Sequence, residues 1–166
     1  MVPLSPRPPG SVHIRWMIRR DMPEVLAIEQ RSYVNPWIEE DFLHCLRQRN
    51  CVGMVAEIGE LVVGHIVYEL HTRILKVLNL AVHPHHRNQG VGRQMIEKLV
   101  SRLTTHGRSG IHVDVRETNI GAQLFLKSVC FAAIKLRRKY YDDTGEDAYL
   151  MERVLGQRRV GKWLRS

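Results

Sequence analysis

One stretch, "LNLAVHPHHRNQGVGRQMIEKL" from Leu78 to Leu99, constrains the fold more than any other. Apolar residues at Leu78, Leu80 and Val82 give the rhythm of a strand, which His83 and Pro84 stop. From Val91 onward, Val91, Met95, Leu99 and Leu103 recur near the helical period, which predicts a helix over about 91–105. A strand that passes into a helix through a glycine-containing loop requires a layered α/β arrangement.

The loop has its own chemistry. Glycines 90 and 92 lack Cβ atoms, so main-chain amides there can approach an anion closely. A helix N-terminus adds unpaired N–H donors and partial positive charge, and Arg87 and Arg93 add full charges. The combination suits a pyrophosphate. It is neither a Walker loop nor a dinucleotide fingerprint, whose glycine spacings differ. The blander alternative is a turn that merely needs glycine. His83, His85 and His86 could ligate a metal, but carboxylate or cysteine partners are missing from their neighbourhood in sequence. They are read as exposed loop residues, and no metal is expected.

The remaining segments follow the same rules. "VHIRWMIRR" alternates as a strand, and Asp21 before Pro23 reads as the N-cap of a helix with Met22, Val25, Ile28 and Glu29 on one stripe. "NPW" breaks that helix, and "IEEDFLHCLRQRN" forms another with its acids first and bases last, as the macrodipole favours. "CVGMVAEIGELVVGHIVYEL" reads as a hairpin turning at Gly59-Glu60. After the helix over 91–105 come a strand in "IHVDVRE", a helix in "NIGAQLFLKSVC", and two strands, "FAAIKLRRKYY" and "AYLMERVL", around "DDTGED". The order β-α-α-β-β-β-α-β-α-β-β predicts one domain over 12–155. Helices pack on a mixed, largely antiparallel sheet, between a flexible lead-in at 1–11 and a basic tail at 156–166.

Charge sits at the ends. Of the net +8, half comes from Arg7, Arg15, Arg19 and Arg20 and half from Arg158, Arg159, Lys162 and Arg165, and the body between is neutral. Such ends either solubilise the chain or attract an acidic partner such as RNA. The three cysteines, Cys45, Cys51 and Cys130, form no CxxC pair, which argues against a disulfide framework and for a reducing compartment, the cytoplasm. No apolar run is long enough for a bilayer, so no membrane partner is expected.

With this element order in place, "RNQGVG" resembles the acyl-CoA loop of the GCN5-related N-acetyltransferase (GNAT) superfamily. "IEQRSYVNPW", "VDVRETN" and "RRKYYDDTGEDAYLME" resemble, within it, the ribosomal-protein-alanine N-acetyltransferases, the RimI type. The likeness runs over about residues 12–155. It implies a GNAT fold of about seven strands and four helices, acetyl-CoA as co-substrate, and a protein or peptide amine as acceptor. It also implies that Arg87, Asn88, Gln89, Gly90, Val91, Gly92 and Arg93 cradle the pyrophosphate. Main-chain groups of Leu80, Ala81 and Val82 would then line the pantetheine arm, and Asn119 would contact CoA. Asn119 also reads as a helix N-cap.

The same resemblance assigns the chemistry. The family's basic glutamate becomes Asp114, one methylene shorter, and a bridging water could restore its reach. The alternative is a polar residue at a strand end. Arg116 is expected to pair with a carboxylate. The family's acid, a tyrosine, falls on Leu126, which has no proton to give, and Cys130 replaces the glycine that precedes Phe131. The thiolate then leaves unassisted, or Tyr140 or Tyr141 substitutes, or the chain binds acetyl-CoA and catalyses little. A thiol of pKa near ~8.5 is already a fair leaving group. Tyr33, Pro36, Trp37 and Tyr141 are expected at the acceptor, unless these aromatics only anchor loops. A protein N-terminal amine, with pKa near ~8 against roughly 10.4 for lysine, demands the least of a base. Lysine side chains and small amines remain alternatives.

Overall fold

Alternation and turn chemistry produce seven strands and four helices in the expected order. A computed structural model describes residues 10–156 of the chain. The strands are β1 (Val12–Trp16), β2 (Cys51–Ile58), β3 (Leu61–Leu70), β4 (Ile74–Val82), β5 (Gly110–Arg116), β6 (Ala132–Arg137) and β7 (Ala148–Val154). The helices are α1 (Met22–Ser32), α2 (Glu39–Leu46), α3 (Val91–Thr105) and α4 (Ile120–Ser128). The sheet order is β1-β2-β3-β4-β5-β7-β6, with β4 and β5 parallel and the β1–β2, β2–β3, β5–β7 and β6–β7 pairs antiparallel. The lead-in through residue 9 and the tail from 157, with Arg7, Arg158, Arg159, Lys162 and Arg165, lie outside the described residues.

The chain forms two units. The first takes residues up to Glu69 together with Asn79–Lys98. In it β1 pairs with β2 from Val12↔Ile58 to Trp16↔Met54, and the β2–β3 hairpin turns at Gly59, whose φ of +62° favours glycine. Met22, Val25, Ile28 and Glu29 of α1 are all buried, so the stripe read from sequence is the packing face. Gly64 on β3 lets α3 and β4 come close. A Cβ there would stand 3.0 Å from Met95 Cε and 3.1 Å from the Ala81 carbonyl oxygen.

Two local expectations change. Asp21 makes no side-chain cap on α1. Its carboxylate instead accepts two bonds from Arg15, at 2.7 and 2.8 Å, and one from the Ile18 amide at 2.8 Å. A charged fork outcompetes a helix amide for the same oxygens. Arg15 also donates to Glu57 at 2.9 Å, so this arginine is an internal tie rather than part of a basic end. On β4, the buried residues are Leu75, Val77, Asn79 and Ala81. Leu78, Leu80 and Val82, the residues that give the strand its rhythm in sequence, are half-buried. Period-2 alternation locates a strand without saying which face is inward when both carry apolar residues.

The second unit takes Leu70–Leu78 and the residues from Leu99 onward. The β4–β5 register runs from Ile74↔Gly110 to Val77↔Val113, and β7 pairs along β5 from Gly110↔Val154 to Arg116↔Ala148. Its core holds Leu75, Leu99, Leu103, Ile111, Leu126 and Met151. Each such side chain contributes roughly 1.5–3 kcal/mol on burial. β6 is an exposed strand at the sheet edge, irregular between Ala133 and Lys135. The irregularity in the ladder, with the charges of Lys135 and Arg137 on the same strand, opposes pairing with another chain.

Candidate active site

In the first unit, the end of β4 is held by the His83 amide, which donates to Val63 at 2.8 Å. The chain then makes a tight turn over Pro84–His86 and enters the glycine loop. Asn88 (φ +59°) and Gly90 (φ +81°) both adopt left-handed backbone. Asparagine tolerates this better than most residues, and glycine does so without penalty. The Gln94 amide bonds to the Gly90 carbonyl at 3.0 Å, and this closes the first turn of α3. The amides of Val91 and Gly92 therefore precede any carbonyl that α3 can offer them. A Cβ on Gly90 would meet nothing nearer than Gln94 Nε2 at 4.0 Å, so the space above this turn is open. Main-chain donors, open space and the positive end of a helix fit a pyrophosphate.

Arg87 plays a more local part than a free cation would. Its Nε donates to the Val82 carbonyl at 2.9 Å and its Nη2 to Ser32 Oγ at 3.1 Å, bracing the loop against β4 and α1. Gln89 Nε2 donates to the His85 carbonyl at 3.1 Å. Arg93 lies exposed in the first turn of α3. On β4, the Leu80 carbonyl accepts from the Tyr33 hydroxyl. The main-chain groups expected to line a pantetheine arm thus already meet Tyr33 and Arg87, each carbonyl keeping a second lone pair.

The histidines stay with the loop. His83 Nδ1 accepts from the His85 amide at 3.1 Å, and Nε2 faces Arg31 Nη1 at 2.8 Å. Desolvation, followed by the charge of Arg31, pulls the His83 pKa below its ordinary value. Among the described residues, no three His, Cys, Asp or Glu side chains gather as a metal site would require.

Tyr33, Pro36 and Trp37 lie in the α1–α2 connection and are half-buried. The Trp37 ring packs edge-on against Phe42 with centroids 5.1 Å apart, and its amide donates to Glu29 Oε1 at 3.0 Å. This reveals a group that sequence reasoning missed. Glu29, His65 and Asn79, at 1%, 0% and 6% exposure, form a polar cluster inside the first unit. The available signal was a polar residue at an inward position in α1, β3 and β4. Each was read only as part of its element's pattern.

The second unit carries the candidate base. The Asp114 side chain, 8% exposed, accepts from Arg137 Nε at 2.9 Å and from the Tyr140 hydroxyl at 3.1 Å. Lys76 Nζ stands 3.7 Å away. The Tyr141 hydroxyl reaches the Asp114 carbonyl at 3.4 Å. Both phenolic protons are thus directed at Asp114. Burial, then the Asp114 charge, raises the Tyr140 pKa, and burial pushes Tyr141 up to about 12. Arg116 pairs with Asp143 at 2.7 and 3.0 Å and lies 3.8 Å over the Tyr141 ring, which fixes the turn before β7.

Asn119 performs the N-cap role, its Oδ1 accepting from the Ala122 amide at 3.1 Å. Leu126 is 2% exposed and belongs to the core. At the other end of α4, Phe131 N–H bonds to the Leu126 carbonyl (3.0 Å) and Cys130 N–H to Lys127 (3.2 Å). This is a Schellman cap, with Cys130 at φ +70° where glycine is usual.

The chain as a whole has counterparts among known proteins. Residues 14–130 match the model of the acetyltransferase (GNAT) family. The ribosomal protein bS18-alanine N-acetyltransferase of Escherichia coli K12 is 30% identical over 136 residues, covering 79% of this chain and 89% of that protein. The crystal structure of the E. coli ribosomal-protein-S18-alanine N-acetyltransferase superposes with a TM-score of 0.78 at 24% identity, over 92% of this chain and 99% of that one. Ard1 from Thermoplasma volcanium superposes at 0.79 with 26% identity, over 88% and 99%. The chain belongs to the GNAT family. It is an acyltransferase, specifically an N-acetyltransferase.

Proposed function

We propose that this N-acetyltransferase moves the acetyl group of acetyl-CoA onto the N-terminal α-amine of a protein, with an alanine-initiated ribosomal protein as the model acceptor. The observation that carries the proposal is the start of α3, where the Val91 and Gly92 amides have no carbonyl within the helix to bond and the left-handed Gly90 beside them leaves open the place where a Cβ would stand. The similarity to ribosomal-protein-alanine N-acetyltransferases supports the choice of acceptor.

Bound acetyl-CoA supplies an activated thioester. The Val91 and Gly92 amides hold its pyrophosphate, and Arg93 adds charge at the rim. Asp114 takes the proton that the amine loses on attack, directly or through one water. Its two oxygens hold Arg137 and Tyr140, and a carboxylate accepts about four hydrogen bonds, so capacity remains. No side chain at position 126 can protonate the leaving thiolate, which departs to solvent. An α-amine suits this modest apparatus because about a tenth of it is already neutral at pH 7, against roughly one part in a few thousand for lysine. The setting we propose is the cytoplasm, with basic ends that add weak, salt-sensitive attraction to ribosomal RNA.

The test is thiol release from acetyl-CoA with three acceptors: an alanine-initiated peptide, an N-blocked lysine peptide and a polyamine. Faster turnover of the first supports the proposal. Preference for either of the others reassigns the acceptor. Absence of calorimetric saturation by acetyl-CoA at millimolar concentration removes the foundation.

A further inference from the structure

Glu29 is a carboxylate enclosed in the first unit, and burying one is costly unless every oxygen is used. Here each is. Oε1 accepts from the Trp37 amide at 3.0 Å and from Asn79 Nδ2 at 2.9 Å. Oε2 faces His65 Nε2 at 3.1 Å, and the same ring nitrogen faces Asn79 Oδ1 at 3.2 Å. Two oxygen acceptors on one nitrogen place the ring proton on Nε2. His65 Nδ1 is buried with no partner.

What the cluster holds is a loop. The connection from α1 to α2 has two feet. Tyr33 donates to the Leu80 carbonyl on β4, and Trp37 donates to Glu29, which in turn is tied to Asn79, the residue preceding Leu80. Between the feet, Val34 is 99% exposed. An apolar side chain presented on an arch pinned at both ends is a preorganised contact surface.

We propose that Glu29 is a positioning residue for the acceptor: it fixes the arch over residues 33–37, so that Val34 and its neighbours meet the chain carrying the amine. This rests on the proposed acceptor chemistry but adds a residue with no role in proton transfer or in holding acetyl-CoA. Losing the carboxylate releases Trp37 and loosens the arch. The protein then pays the ordering on each binding event, so acceptor KM rises while the acetyl-CoA KM stays.

The experiment compares the full chain with Glu29→Leu, Glu29→Asp and Glu29→Gln, varying each substrate in turn against a saturating level of the other. The acceptor is an alanine-initiated peptide. Glu29→Leu is expected to raise acceptor KM about 10-fold with kcat and acetyl-CoA KM changed less than about 3-fold. Glu29→Asp, retracted by one methylene, shows the same direction at smaller size and carries the test if the leucine variant does not fold. Glu29→Gln keeps an acceptor for Trp37 and Asn79 and restores most of the wild-type value. Hydrogen exchange of the Trp37 amide should accelerate in the leucine and aspartate variants. A merely destabilised protein loses active enzyme, which lowers apparent kcat and leaves acceptor KM alone. Unchanged acceptor KM, equal rises for both substrates, or unchanged Trp37 exchange overturns the inference. A wild-type protein that acetylates no peptide N-terminus overturns the proposed function instead, and the inference falls with it.

Discussion

The two units use different atoms for their work. In the first, the candidate ligand-holding groups are main-chain amides at the start of α3, and the side chains nearby brace the loop. In the second, everything chemical is a side chain: Asp114, its partners Arg137 and Lys76, and the phenols of Tyr140 and Tyr141. Amides survive substitution as long as backbone shape is kept, whereas a carboxylate or phenol is lost with one codon. The family resemblance behaves accordingly. The glycine loop is intact, while the departures fall at Asp114, Leu126 and Cys130, all in the second unit.

That contrast can be broken most directly at Gly90. Gly90→Val forces a β-branched residue into φ +81° and so distorts the backbone that presents the amides, and acetyl-CoA affinity should fall by at least about 100-fold. Calorimetry with an intact melting transition would measure it, and unchanged affinity would remove the main-chain role. Asp114→Asn tests the opposite half. A missing general base should reduce kcat about 100-fold with acetyl-CoA affinity unchanged. An effect on affinity alone would make Asp114 a structural partner of Arg137.

Support for the amides comes from close packing at Gly64. Gly64→Val drives a side chain into Met95 and the Ala81 carbonyl, which should destabilise the fold by about 2–3 kcal/mol in denaturant titration. A stability change below that range would show that α3 yields easily, contrary to a preorganised loop.

Asp21 gives a smaller, pH-dependent effect. Burial by itself would raise its carboxyl pKa, but the bonds from Arg15 and the Ile18 amide outweigh burial and hold it below the ordinary value. A depressed folded pKa adds stability above about pH 4, lost as pH falls through the folded value. Asp21→Asn should therefore flatten the acid limb of the melting temperature against pH, with little slope change near neutrality. The smallest effect is a gain. Cys130→Gly relieves a left-handed residue in the Schellman cap of α4 and should stabilise by about 1 kcal/mol. A loss would mean that the Cys130 side chain packs better than its backbone suffers.

Much of this was legible in the residues. Hydrophobic period placed every strand and helix, and α3 has the bounds its stripe suggested, because burial on one face selects for that period directly. The glycine loop was legible because residues without Cβ let main-chain amides come close to an anion, which gives two glycines at the start of a helix a chemical meaning. Asn119 found its cap, a short-range effect, and Arg116 found a carboxylate, Asp143, although its position 27 residues away was not readable from spacing. Asp21 was misplaced because its competitor, Arg15, belongs to a different element. The inward face of β4 was unreadable because Leu78, Leu80 and Val82 are as apolar as the residues that are buried.

Local propensity and one-dimensional periodicity thus set the element order and a glycine loop between β4 and α3, and the resemblance of that loop's residues pointed to the family. Only the tertiary structure decided which partners share a charge: Asp114 with Arg137, Arg87 with Ser32, and Glu29 with His65, Asn79 and the Trp37 amide. All but the Trp37 amide bond to Glu29 join positions more than twenty residues apart along the chain. Coulomb attraction and hydrogen bonding act across a few ångströms of space, and sequence spacing carries no measure of that distance.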